Sequence, residues 1–217
     1  MYFDDLFGPV FKVPFRVWTP VALAVARVLA RDLEALSHDP SSFKGHALLN
    51  GYWHVDREER DLDPFDRKNE KVALYTSLNL GISYDPIRAP AVNLEKQTID
   101  GQGLRILTLH DADKLSTRDF FAGLHDLIAR AGADAALGDG RIRSTTLREW
   151  TGYTFIFNNI GTPQMRHERG GSLLPRGRAG GISGMLNMGR IHDDGEVTLQ
   201  IFFDHRMIDG VRSTLFL

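Results

Sequence analysis

The chain has 217 residues, and its 26 lysines and arginines nearly balance its 28 aspartates and glutamates, leaving a formal net charge of -2 at pH 7. This balance excludes the strong positive field that a nucleic-acid or anionic-membrane binder usually carries. The sequence contains no cysteine, so disulfides, thiolate metal sites and a cysteine nucleophile are excluded as well. Any thiol chemistry would have to use a thiol that a substrate brings in.

The composition is that of an ordinary globular protein, with 42% hydrophobic and 25% charged residues. This length fits one large domain, which we place at residues 1–217. Residues 1–10 contain two aspartates and no basic residue, unlike a signal peptide. The apolar run at residues 21–30 is too short to span a bilayer. We therefore expect a cytoplasmic protein without a membrane segment.

The first predicted element is a helix that begins at Thr19-Pro20, an N-cap residue followed by proline at the first helical position. Residues 21–30 are apolar on almost every side, so we expect this helix to be buried on most of its faces. Residues 37–70 are polar and are predicted to form a loop. Residues 71–83 then predict one or two strands, and residues 103–109 alternate in polarity as another strand does.

The second predicted helix follows Ser116, a capping residue with Asp119 three positions later. Its apolar residues fall at helical spacing, and Gly132 is its predicted end. We expect four aromatic residues here and in the next strand to belong to the core. They are Phe120, Phe121, Phe155 and Phe157.

The last third of the chain predicts strands. Residues 153–157 predict one strand, and residues 182–191 and 197–203 predict a hairpin around the turn pair Asp194-Gly195. Residues 165–181, rich in glycine and arginine, are predicted to form a loop. Strands interleaved with helices indicate an α/β domain with a mixed sheet.

The most informative motif lies at residues 201–210, which read Ile-Phe-Phe-Asp-His-Arg-Met-Ile-Asp-Gly. An apolar strand leads to His205, and Asp209 and Gly210 follow four residues later. The spacing His-x-x-x-Asp-Gly is typical of acyltransferases whose histidine acts as a general base on a thiol or a hydroxyl. The alternatives are a histidine that only makes structural contacts and a metal site at His205 and Asp209. No third ligand recurs at a suitable spacing, so we expect no metal.

Four earlier segments carry further motifs. Residues 79–83 read Asn-Leu-Gly-Ile-Ser, residues 103–116 read Gly-Leu-Arg-Ile-Leu-Thr-Leu-His-Asp-Ala-Asp-Lys-Leu-Ser, residues 152–161 read Gly-Tyr-Thr-Phe-Ile-Phe-Asn-Asn-Ile-Gly, and residues 189–191 read Gly-Arg-Ile. With the histidine motif, they resemble the catalytic core of the dihydrolipoyl acyltransferases of 2-oxoacid dehydrogenase complexes, whose superfamily includes chloramphenicol acetyltransferase. The resemblance implies a chloramphenicol acetyltransferase-like two-layer α/β domain, with helices packed on a mixed β-sheet.

The resemblance also implies a reaction, in which an acyl group moves between coenzyme A and a thiol acceptor such as dihydrolipoamide. Coenzyme A would be a substrate, a partner protein would supply the lipoyl group, and no metal is expected. His205 would be the general base. Asn158 stands where the family has a serine or threonine that hydrogen-bonds the tetrahedral intermediate, and its amide N–H could take over that role. Asp209 would pair with an arginine and hold the turn; Arg16, Arg27 and Arg206 are the candidates.

The partners that the resemblance implies are a homotrimer, with each site built from two neighbouring chains, and lipoyl-bearing or other dehydrogenase-complex subunits. Four basic residues could meet the phosphates of coenzyme A, or could belong to a flexible basic loop. These are Arg166, Arg169, Arg176 and Arg178.

Three departures from the family keep other functions open. We find no counterpart of the family's first strand and helix before residue 11, and the chain ends at Leu217, where the family continues as a C-terminal helix. Asn158 itself is the third departure. A catalytically weak or inactive core that acts as a scaffold or subunit-binding protein therefore remains an alternative, as does transfer to a small hydroxyl or amine acceptor.

Overall fold

A computed structural model describes residues 18–55, 70–84, 91–93, 98–100, 105–136, 145–159, 182–192 and 194–217. Within these residues the α-helices are α1 (Thr19–His38), α2 (Thr117–Ala136) and α3 (Gly210–Phe216). The strands are β1 (Gly51–Val55), β2 (Glu70–Leu74), β3 (Leu80–Tyr84), β4 (Ala91–Asn93), β5 (Thr98–Asp100), β6 (Arg105–Leu109), β7 (Phe155–Asn159), β8 (Gly184–Ile191) and β9 (Val197–Phe203). Short 3-10 helices occupy Pro40–Ser42, His46–Asn50 and Leu147–Trp150.

The central element is a five-stranded sheet with the strand order β6-β3-β7-β8-β9. Its inner pairs, β3 with β7 and β7 with β8, are parallel, whereas the outer pairs, β6 with β3 and β8 with β9, are antiparallel. Two separate two-stranded ladders join β1 to β2 and β4 to β5. The sheet is therefore mixed, as predicted.

Helices α1 and α2 supply the apolar layer that covers one face of this sheet. Leu29 of α1 and Phe120 and Leu124 of α2 share a buried cluster with Phe155 and Phe157 of β7. A smaller cluster around Ile156, Ile182 and Met185 lies on the opposite face, because successive residues of a strand point to opposite faces. This two-layer arrangement confirms the α/β class, and all four predicted core aromatics are buried.

The prediction that α1 is buried on most of its faces is wrong. Its buried apolar positions, Ala22, Val25, Ala26 and Leu29, follow the i, i+3, i+4, i+7 spacing of a single face, while the side chain of Val28 is 37% exposed. Among the described residues, other elements therefore pack against only one face of this apolar helix. The helix also begins one residue earlier than predicted, since Trp18 rather than Thr19 is the N-cap.

Three predicted boundaries need correction. Residues 37–70 contain two short 3-10 helices and strand β1 in addition to loop, and the strand predicted at residues 153–157 lies two residues later, as β7. Helix α2 continues past Gly132 to Ala136. The extra turn is held because the buried carboxylate of Asp134 accepts hydrogen bonds from the backbone N–H and the hydroxyl of Thr145.

The elements with local sequence signals are confirmed. Ser116 accepts a hydrogen bond from the backbone N–H of Asp119 at the start of α2. Strands β8 and β9 form the predicted hairpin, and Gly195 in its turn has φ 87°, a conformation that glycine adopts without strain. Alternate residues of β9 pack against the main core, namely Val197, Leu199, Ile201 and Phe203. The loop predicted at residues 165–181 lies outside the described residues.

None of the helices in the described part of the chain is long and apolar enough to cross a membrane.

A partly buried ion pair makes the free energy of unfolding depend on pH. Arg130 of α2 donates from its two terminal guanidinium nitrogens to the carboxylate of Glu149, at 3.1 and 2.6 Å. The Arg130 hydrogen bonds, opposed by partial burial, lower the pKa of Glu149 from 4.5 to about 2. Because the folded-state pKa is the lower one, this stabilisation is complete above pH 4.5 and is lost as the pH falls toward 2.

We expect Glu149→Gln to lower the free energy of unfolding by about 1–2 kcal/mol at pH 7. Urea denaturation at a series of pH values should show the difference from wild type shrinking below pH 4.5. Asp126→Asn is the matched control, since Asp126 bonds the same arginine but its side chain is 63% exposed; it should cost less than about 0.5 kcal/mol. A pH-independent difference for Glu149→Gln would contradict the ion-pair explanation.

Candidate active site

His205 lies in a tight turn immediately after β9. The turn is closed by hydrogen bonds from the backbone N–H groups of Met207 and Ile208 to the carbonyl of Asp204, at 2.8 and 3.2 Å. Met207 and Ile208 are buried, whereas His205 is exposed. The imidazole rests edge-on against the ring of Phe203, with 4.5 Å between the ring centroids. The buried pair anchors the turn and the histidine side chain projects from it.

The charged neighbours of His205 are paired with each other. The guanidinium of Arg206 donates from Nε and Nη2 to the carboxylate of Asp204, at 2.9 and 2.5 Å. No hydrogen bond joins the imidazole of His205 to any described residue. The carboxylate of Asp204, the preceding residue, is engaged by Arg206, and the imidazole nitrogens of His205 are left available to an incoming group.

A tryptophan that sequence reasoning missed lies beside this turn. The guanidinium of Arg206 sits over the ring of Trp53 in β1, 5.6 Å from the ring centroid. The indole N–H of Trp53 is buried and has no hydrogen-bond partner among the described residues. The signal was present, because residues 51–55 are rich in the aromatic and β-branched residues typical of strands. The polar residues that follow this segment led to the prediction of a loop there instead.

Ser183 fixes the position of the turn on the sheet. Its backbone carbonyl accepts from the N–H of Asp204 at 2.9 Å, and its hydroxyl donates to the carbonyl of Leu48 at 2.6 Å. The next residue, Gly184, has no room for a side chain, since a Cβ there would lie 2.8 Å from the carbonyl of Leu49. These contacts therefore hold the end of β9, the start of β8 and the His46–Asn50 helix together next to the turn that carries His205.

Asp209 caps the helix that follows the motif. Its carboxylate accepts a 2.9 Å hydrogen bond from the backbone N–H of Arg212, at the start of α3. It also lies 3.7 Å from the Nε of Arg212, but both side chains are more than half exposed, so this ion pair contributes little. In this structure Asp209 is therefore the N-cap of α3.

The arginine beside Asp209 is Arg212, which is not one of the three candidates predicted from the sequence. Arg27 donates to the backbone carbonyls of Asp113 and Leu115, and Arg206 pairs with Asp204. Arg16 lies outside the described residues. Arg212 escaped prediction because the chain after Gly210 was not predicted to be helical, and only a helix brings positions 209 and 212 together.

Asn158 lies in β7, the central strand of the five-stranded sheet. It faces away from Phe155 and Phe157, which are both in the main core. Its partner in β8 is Asn187, which in turn pairs with Gln200 in β9.

Gln200 precedes Phe203, the last residue of β9, by three residues, so Asn158 is offset from Phe203 by about 10 Å along the strands and about 9–10 Å across them. The register therefore separates the backbone of Asn158 from the end of β9, where the His205 turn begins, by about 14 Å.

Arg166, Arg169, Arg176 and Arg178 lie outside the described residues. Among the residues that the structure describes, no group of three or more His, Cys, Asp or Glu side chains could hold a metal ion.

No protein-family model matches this sequence, and comparison with curated proteins gives no significant match. Comparison with solved structures does identify similar folds. A dihydrolipoamide acetyltransferase from Azotobacter vinelandii aligns with 99% of this chain and 71% of its own, at 17% identity and a TM-score of 0.56. A probable dihydrolipoamide acetyltransferase from Listeria monocytogenes aligns with 98% of this chain and 71% of its own, at 16% identity and a TM-score of 0.55.

A third similar structure is a truncated catalytic core of the 2-oxoacid dehydrogenase multienzyme complex from Thermoplasma acidophilum. It aligns with 98% of this chain and 74% of its own, at 22% identity and a TM-score of 0.51. The fold is therefore that of these acetyltransferase cores, as the motifs predicted. At such low identity the likeness concerns the fold alone.

The capping role of Asp209 can be separated from a chemical one. We expect Asp209→Ala to lower the free energy of unfolding by about 0.5–2 kcal/mol, because the first turn of α3 loses its cap. Asp209→Asn should retain most of the stability, since asparagine caps nearly as well. Chemical denaturation of both variants tests this. If Asp209→Asn were as unstable as Asp209→Ala, the negative charge rather than the cap would be the stabilising feature.

Proposed function

We propose that this chain is an acyltransferase that moves an acyl group between coenzyme A and a thiol acceptor such as dihydrolipoamide, with His205 as the general base. The observation that supports this most directly is the state of His205. Its imidazole is exposed, is held on a turn anchored by buried neighbours, and makes no hydrogen bond to the described residues. A thiol can therefore approach the imidazole without displacing a hydrogen-bond partner among the described residues.

The reaction needs a base because a thiol of pKa near 8.5 is only about 3% ionised at neutral pH. In the proposed step, a nitrogen of His205 takes the proton from the acceptor thiol, and the sulfur attacks the thioester carbonyl of the acyl-coenzyme A. The resulting tetrahedral oxyanion collapses and expels the thiolate of coenzyme A. That thiolate recovers the proton from the imidazolium, so the histidine ends neutral and one thioester has replaced another.

The oxyanion of this intermediate needs a hydrogen-bond donor, and we assign that role to the side-chain amide of Asn158. Such a donor is commonly worth about 3–4 kcal/mol of transition-state stabilisation. The register places the backbone of Asn158 about 14 Å from Phe203, the residue that precedes the His205 turn. We therefore propose that one reacting carbonyl meets the two side chains from different copies, in the homotrimer that the sequence resemblance implies.

The remaining parts of the proposal concern the surroundings of the histidine and its partners. Asp209 and the Asp204–Arg206 pair would be positioning groups that hold the turn, with no direct contact to the substrate. The lipoyl group would arrive on a partner protein of a 2-oxoacid dehydrogenase complex. A cytoplasmic location remains a prediction from the composition.

Removing the proposed base should abolish most of the activity. With acetyl-coenzyme A and dihydrolipoamide as substrates, we expect His205→Ala to lower turnover by about 10²–10⁴-fold, the range for a lost general base. Thermal stability should change little, because the side chain is exposed and its described ring contact is with Phe203 alone. The release of free coenzyme A thiol, followed by absorbance, measures the rate.

The matched control is His192→Ala, which removes another exposed histidine from the β8–β9 hairpin and should leave the rate unchanged. Full activity in His205→Ala would refute the role of the base. Absence of transfer in the wild-type protein would instead favour an inactive scaffold.

Mixing two inactive variants tests the shared site. If each site takes His205 from one chain and Asn158 from its neighbour, co-refolded His205→Ala and Asn158→Ala chains form hybrid trimers. In an equal mixture each site has one chance in two of an intact histidine and one in two of an intact asparagine, so about a quarter of wild-type activity should return.

Light scattering on the wild-type protein supplies the companion measurement, with three chains per particle expected. A monomer that retained activity, or hybrids that remained inactive while both variants stayed folded, would exclude the shared site.

A further inference from the structure

Strand β1 lies against the turn that follows β9 and contacts it at two places. Position 51 has room only for glycine, since a Cβ on Gly51 would lie 2.5 Å from the carbonyl oxygen of Ala73 and 3.0 Å from the Cε of Met207 in the turn. Two residues further along β1, the guanidinium of Arg206 lies over the ring of Trp53, 5.6 Å from the ring centroid. Alternate residues of a strand share one face, so one face of β1 supports the turn at both places.

The side chain of Arg206 is held between this ring and a carboxylate. Its Nε and Nη2 donate to the carboxylate of Asp204 at 2.9 and 2.5 Å, and its backbone N–H donates to the same carboxylate at 3.0 Å. The side chain of Arg206 is nevertheless 46% exposed, and an ion pair so exposed is too weak to hold one conformation by itself. Trp53 supplies the second contact, and indole is the aromatic ring that attracts a cation most strongly.

These contacts hold the backbone on both sides of His205. Asp204 precedes the histidine and Arg206 follows it, so a guanidinium that is bound to both Asp204 and Trp53 restrains the two neighbours together. The N–H of Asp204 also donates to the carbonyl of Ser183 at 2.9 Å. The imidazole makes no hydrogen bond to the described residues. Its direction therefore depends on how firmly this backbone is held.

We infer that Trp53 is a positioning residue for His205, which it restrains through the guanidinium of Arg206. This inference rests on the proposed function for the reaction that His205 performs. Trp53 takes no part in the chemistry, but it keeps the imidazole in the orientation in which it lies against Phe203. A base that is already oriented loses less entropy when the thiol arrives. Without the stack on Trp53 the imidazole samples other orientations, so turnover falls while the affinity for the substrates is unchanged.

The test combines turnover with an NMR measurement of the position of the imidazole. Trp53→Leu removes the aromatic face and keeps an apolar side chain, and Arg206→Met removes the cation and keeps the length of the side chain. Each should lower kcat for acyl transfer from acetyl-coenzyme A to dihydrolipoamide by about five- to tenfold, with KM unchanged. Each should also weaken the nuclear Overhauser effect between the rings of His205 and Phe203, whose centroids are 4.5 Å apart.

The double variant Trp53→Leu/Arg206→Met separates positioning from general packing. If the ring acts through the guanidinium, the second substitution should add nothing to the first, whereas two independent structural losses would add. Trp53→Phe keeps an aromatic face and should retain most of the turnover and of the Overhauser effect. Val72→Thr is the matched control, because Val72 is the 49% exposed partner of Trp53 in β2. It should leave both measurements unchanged.

The outcomes separate this inference from the proposed function. An unchanged kcat and an unchanged Overhauser effect in Arg206→Met overturn the inference, while acyl transfer can still stand. Additive losses in the double variant also overturn it, because Trp53 then acts independently of Arg206. If Trp53→Leu does not fold, Trp53→Phe replaces it in the double variant, with a smaller expected loss. A weakened and non-additive Overhauser effect supports the inference even if the wild type transfers no acyl group, which would refute the proposed function alone.

Discussion

The pairing register of β7, β8 and β9 determines both the core and the candidate site. One set of alternating residues, including Phe157 and Leu186, packs against the helices, and the other set carries Asn158 and Asn187. A slip of one residue would exchange the two faces and bury carboxamides against the helices. The register is fixed because burying the apolar set against the helices is much more favourable than burying the polar set there. The positions of the polar residues then follow from the packing of their apolar neighbours.

The same register separates the backbone of Asn158 from the end of β9 by about 14 Å. Each strand holds its residues at fixed intervals, so the proposed oligomer would have a chemical as well as a structural purpose. In that proposal, a second copy supplies the group that completes the site. An exposed histidine and a partly exposed asparagine are what a chain would present to a neighbour that completes the site.

Sequence reasoning succeeded where the signal is local. The Asp194-Gly195 turn, the Ser116 cap and the alternation in β9 each depend on a few neighbouring residues, and the structure contains all three. It failed where distant residues decide. Residues 51–55 become a strand because residues 70–74 pair with them, and α2 passes Gly132 because Asp134 finds Thr145.

The residues of the candidate site also fall into those with a local sequence signal and those placed by distant contacts. His205 and Asp209 could be found from their motif. The position of Trp53 and Ser183 beside the turn could not, because they reach it only through the packing of β1 and of the start of β8.

The turn that carries His205 illustrates how a side chain proposed as a general base can be exposed while its backbone is firmly held. Its stability comes from groups other than the histidine: buried Met207 and Ile208, the backbone bonds to Asp204, and the cap that Asp209 provides to α3. The Asp204–Arg206 pair satisfies both charges beside the imidazole. The imidazole therefore needs no bond of its own to stay in place, and a thiol proton can approach it without first displacing an internal partner. Such positioning lowers the entropic cost of bringing base and thiol together, which is why the anchors of the turn matter as much to the proposed reaction as the histidine itself.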